Sequence, residues 1–135
     1  MEHRTDKSYL KETSIGKPVN HLALPDLQLA CDLRTRIAYK MGSDIPISYW
    51  GMAMMGEAGE LCNLLAKVER VNSGGLDGGN SITAEEITDE KIAEEMGGLL
   101  IYLSILAYRL GINLEEAVRY TFNQKSIKIG YPVTI

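Results

Sequence analysis

Apolar residues in this chain recur at spacings of three and four and almost never alternate with polar ones. That period follows the turn of an α-helix and fits no half-buried strand. The chain is therefore expected to be all-α. Leu27, Ala30, Cys31, Ile37, Ala38 and Met41 trace a first helix over about residues 26–41, with Gly42 as its stop. After the loop ending at Pro46, a second helix is expected over about 48–71. Residues 72–81 include four glycines and cannot hold a helix. Thr83 and Glu86 have capping-box spacing for a helical turn, and a third helix is expected over about 89–110, ended by Gly111. Asn113 with Glu116 repeats the box and opens a fourth helix to about residue 125, followed by an irregular or extended tail. Residues 1–24 lack a sustained period and read as an extended N-terminal arm, leaving 25–135 as one helical domain. Four helices with mostly short connections make a four-helix bundle.

Composition narrows the class. A chain of 135 residues, 45% hydrophobic and 24% charged, buries a core without disulfide staples and is not disordered throughout. Its net charge of −4 argues against a protein that coats nucleic acid, which needs an excess of Lys and Arg. Cys31 and Cys62 form no CxxC pair and read as reduced core thiols of a cytoplasmic protein. The N-terminal residues lack the apolar run of a signal peptide. The most apolar stretch, residues 99–108, is about half as long as a bilayer-spanning helix, so no membrane partner is expected. Between residues 99 and 106 the third helix is apolar on almost every side. Four helices of one chain do not cover such a surface, which predicts a homodimer or homotetramer.

The chemical signal lies in acids placed on apolar stripes. In WGMAMMGEAGEL, Trp50, Glu57 and Leu64 are seven residues apart and drift by only about 20° per step around the helix. Glu60 neighbours Glu57 on the same face. Two carboxylates at about 4 Å repel by an energy on the order of 4 kcal/mol at an effective dielectric near 20. A cation reverses that sign, whereas on a solvated face the pair does nothing. In KIAEEMGGLLIYL, Glu95 stands among Ile92, Leu99 and Tyr102 at helical spacing, while Glu94 is offset toward solvent. Facing helices that each offer inward carboxylates build metal sites in bundles. All-oxygen ligands suit Mg²⁺ or Mn²⁺. Pairing of these acids with Lys or Arg is the structural alternative. No phosphate-binding P-loop and no nucleophilic triad occurs.

GEAGEL, then KIAEEMGGLLIYL after a glycine-rich segment, then LGINLEEAV and FNQKS, together resemble the all-α nucleoside triphosphate pyrophosphohydrolases, the MazG-like group, over residues 26–132. The resemblance implies an oligomeric helical bundle that cleaves nucleoside triphosphates, often deoxy forms, to the monophosphate and pyrophosphate with Mg²⁺. It places the first metal motif on Glu57 and Glu60 and begins the second, ExxD, at Glu95, making these three the metal-holding and catalytic residues. The Asp of that second motif is replaced by Gly98, leaving three acids of four. Asn123, Lys125 and Lys128 match positions that contact phosphates, or else form a solvated basic helix end. Trp50 either stacks on a base or is core. Tyr131 either closes over the nucleotide or packs the tail, and Lys67 offsets the charge of substrate or of Glu60. The alternative to an enzyme is a catalytically weakened nucleotide-binding protein or a purely structural helical oligomer, and Gly98 is the feature that favours it.

Overall fold

A computed structural model describes residues 22–73 and 87–135. Among these residues there are four α-helices and no strand: α1 (Leu24–Ala38), α2 (Ile47–Asn72), α3 (Asp89–Arg109) and α4 (Leu114–Ile129). The expected Thr83 box and most of the glycine-rich segment lie outside the described residues. Among the described residues no single helix is long and apolar enough to cross a membrane.

Local chemistry sets the helix ends. Pro25 sits in the first turn of α1, where its missing N–H costs no intrahelical bond, so α1 begins two residues earlier than expected. It also ends early, at Ala38, because Lys40 takes the left-handed conformation with φ 55° and turns the chain back. Met41 nevertheless keeps the inward place its spacing suggested: its N–H returns to Thr35 O at 3.2 Å, and its side chain packs on the core. The Thr88 hydroxyl accepts from Lys91 N–H and caps α3, with Asp89 and Glu90 in the first turn beside the positive end of the helix dipole. Asn113 Oδ1 accepts from the N–H groups of Glu115 and Glu116 and caps α4, as expected. Gly111 (φ 69°) and Gly130 (φ 68°) end α3 and α4 in the left-handed conformation that glycine adopts without strain. Residues 126–129, expected to be tail, are the last turn of α4.

α3 is the central element and packs against both α2 and α1, while α4 docks on α1. Cys31 of α1, Trp50 of α2 and Ile105 of α3 form the buried centre, surrounded by Leu27, Met41, Ile45, Ile101, Tyr102 and Leu106. A polar network ties these helices together. Arg109 lies over the Trp50 ring at 5.0 Å and donates to Asp32 Oδ1 (3.1 Å), Gly42 O (2.6 Å) and Met41 O (3.2 Å). Asp32 also receives Arg36 Nε at 2.7 Å. Gln28 spans α1 and α4, donating to Ile112 O at 2.6 Å and accepting from Leu114 N–H at 3.0 Å.

One expectation about burial is corrected, that both cysteines are core. Cys31 is core, but Cys62 is exposed: on α2 it stands twelve residues from the buried Trp50, about 120° around the helix. The apolar stretch of α3 is only partly enclosed: Ser104 and Ile105 are buried, whereas Leu100 remains exposed. On the outer face of α2, Met52 and Met55 are 69% and 63% exposed, an unusual load of open apolar surface for two neighbouring residues.

Candidate metal centre

Glu57 and Glu60 are a single turn apart on α2, and Glu95 faces them from α3. Each offers a carboxylate oxygen, and these oxygens all lie within 4.8 Å of one another. Glu57 and Glu95 are half-buried at the α2–α3 seam, and Glu60 is exposed at its rim. Glu94 points to solvent, as its offset predicts.

The electrostatics follow from this crowding. Partial removal from water, and then the neighbouring carboxylates of Glu60 and Glu57, hold the Glu95 carboxyl above its ordinary value; a hydrogen bond with Glu60 and the charge of Glu94 act in the same direction. Desolvation likewise raises the Tyr102 phenol, with Glu57 as the next cause. Asp32 pairs with Arg36 and Arg109, and Glu115 pairs with Arg119, away from this cluster. Three converging carboxylates are a donor set that fits Mg²⁺ or Mn²⁺, with water completing the shell.

The raised Glu95 value has a consequence in the metal-free protein. An acid whose folded pKa is elevated stabilises the fold below its unfolded value of 4.5, and that contribution is lost as pH rises through the folded value. The contribution of Glu95 to the melting temperature without metal is therefore expected to fall as pH rises above about 4.5. Glu95→Gln should flatten that part of the profile, and an unchanged slope in a thermal melt series would contradict the crowding.

Beside the carboxylates lies a cavity of about 380 Å³ whose walls include Arg34, Tyr39, Tyr49, Trp50, Gly98 and Tyr102. Gly98 belongs to both places: it lines the cavity, and the Glu57 carboxylate rests against it. Trp50 is 2% exposed and meets Tyr49 edge to face at 5.1 Å, so it is a core residue that also forms a cavity wall. Its Nε1 is buried without a hydrogen-bond partner.

The other expected substrate contacts are not brought together with the three acids. Lys67 is half-buried two helical turns beyond Glu60 on α2. Asn123 is committed to the tail, donating to Ile135 O at 3.1 Å and accepting from Ile135 N–H at 3.0 Å. Lys125, Lys128 and Tyr131 are exposed on α4 and just beyond it, and none of them lines the cavity. The sequence pattern missed Arg34, Tyr39 and Tyr49, which come from α1, its C-terminal turn and α2. Tyr102 had a usable signal, being seven residues beyond Glu95 on the same stripe.

Comparison of the chain with protein-family models, with curated proteins and with solved structures finds no match.

Proposed function

We propose that the chain is a metal-dependent nucleoside triphosphate pyrophosphohydrolase, acting on ribo or deoxy triphosphates in the cytoplasm as a homodimer or homotetramer. The observation that carries this reading is the meeting of three carboxylates with an aromatic cavity at Gly98. Glu57, Glu60 and Glu95 would hold Mg²⁺ or Mn²⁺, which when bound supplies charge neutralisation for a triphosphate and a water of lowered pKa. The cavity walls Tyr39, Tyr49, Trp50 and Tyr102 offer rings to a base, and Arg34 adds a cationic donor at the same wall. One of the three glutamates would accept the proton of a water that attacks the α-phosphorus, and the bond from that phosphorus to the α–β bridging oxygen would break to leave nucleoside monophosphate and pyrophosphate.

This division of labour requires metal and nucleotide to bind together. Thermal melts with Mg²⁺ and a non-hydrolysable triphosphate should rise by several degrees over melts with either alone. Equal shifts with and without metal would separate the cavity from the carboxylates. Gly98 favours a second reading, a nucleotide-binding protein without turnover, since it removes one carboxylate from the set. Melts of that protein would show the same shift, while pyrophosphate release would be absent.

The open apolar faces of α2 and α3 support the oligomer. Met52, Met55, Met96 and Leu100 are all exposed in the single chain. Light scattering at micromolar concentration should give twice or four times the chain mass of 14.9 kDa, and a monomeric mass would contradict the expectation.

A further inference from the structure

We infer that Gly98 is a positioning residue of the carboxylate centre, whose missing side chain makes the space in which the Glu57 carboxylate reaches Glu60 and Glu95; this rests on the metal-centre reading above. A Cβ built on Gly98 would collide with Glu57 Oε2 and stand 2.8 Å from its Cδ and 3.4 Å from its Cγ. The other glycines within α2 and α3 behave differently. A Cβ at Gly51, Gly56, Gly59 or Gly97 would meet nothing within 4 Å. Backbone conformation does not call for glycine at position 98 either, because the positive-φ glycines among the described residues are Gly111 and Gly130. Glycine in a helix interior costs about 1 kcal/mol against alanine. At Gly98 that cost has a visible return: the backbone of α3 serves as a floor for a carboxylate that originates on α2.

The fourth carboxylate expected at this position would therefore enter space that Glu57 already fills. α3 contributes one ligand, Glu95, and room for a second from α2. Glu57 has a flexible side chain, so a methyl group at position 98 displaces its carboxylate without disturbing the packing of the helices.

The test compares Mn²⁺ binding, measured by electron paramagnetic resonance titration, in the full chain and four variants: Gly98→Ala, Gly97→Ala, Glu57→Gln and the Glu57→Gln/Gly98→Ala pair. Gly98→Ala is expected to weaken binding about tenfold, the scale on which supporting residues act on metal affinity. Its metal-free melting temperature should rise by about 4 °C from the helix gain, which shows that the variant folds. Gly97→Ala should show the same rise with unchanged binding, since its methyl meets open space. In the Glu57→Gln background, Gly98→Ala should change affinity by less than about twofold, because the group it displaces no longer ligates. Wild-type affinity in Gly98→Ala alongside weakened binding in Glu57→Gln overturns the inference and leaves the metal centre standing. Absence of saturable Mn²⁺ binding by the wild type removes the metal centre and the inference with it.

Discussion

Glu57→Gln is expected to lower Mg²⁺-dependent pyrophosphate release by about 100-fold or more while raising the stability of the metal-free protein. Both effects come from the same geometry. Glu57 is half-buried, like Glu95, and its carboxylate rests against Gly98 of α3. It is also one of the charges that raise Glu95 and the neighbouring Tyr102 phenol. Removing its charge takes away a ligand and relieves crowding of like charges at once. A solvated, functionless cluster would show only the second effect. Loss of turnover together with a lower metal-free melting temperature would mean that Glu57 instead makes a stabilising contact in the fold.

Asp32→Ala is expected to destabilise the fold by about 3–5 kcal/mol, the range for removing one partner of a buried ion pair. Asp32 is 3% exposed and joins two guanidiniums, Arg36 at 2.7 Å and Arg109 at 3.1 Å. Arg36 is half-exposed and can return to water, so its loss costs little. Arg109 cannot: its side chain is 9% exposed, and it is held over Trp50 between α3, α1 and the loop after α1. Without Asp32 its charge faces the Gly42 and Met41 carbonyls and the Trp50 ring, with no carboxylate. Urea unfolding with an unchanged slope would give the loss directly. A cost below about 1 kcal/mol would show that the two carbonyls suffice.

Helical class and the three acids were legible for one physical reason: each depends on spacing within a single helix. Glu57 follows Trp50 by two turns, Glu60 is its neighbour, and Glu95 lies among apolar residues at helical intervals. Helix ends were less legible because they depend on single residues. Lys40 turns left-handed, which its identity does not announce, and Gly130 rather than the basic run near Lys125 stops α4. What the period could not reveal is contact between helices. Arg109 reaching Asp32, Tyr39 and Tyr49 meeting Tyr102 across a cavity, and Asn123 spent on Ile135 all join separate elements. Cys62 looked buried because its neighbours are apolar, yet it is exposed. Gly98 shows the difference most clearly. Along α3 it is an absent carboxylate; across the seam its place is filled by the carboxylate of Glu57.

The central claim is tested most directly by incubating the wild-type protein with ribo and deoxy triphosphates at saturating Mg²⁺ and identifying the products. The carboxylate centre predicts nucleoside monophosphate and pyrophosphate in equal amounts, with release abolished by a chelator and restored by added Mg²⁺ or Mn²⁺. Absence of hydrolysis at saturating metal, or release that a chelator does not touch, would contradict it.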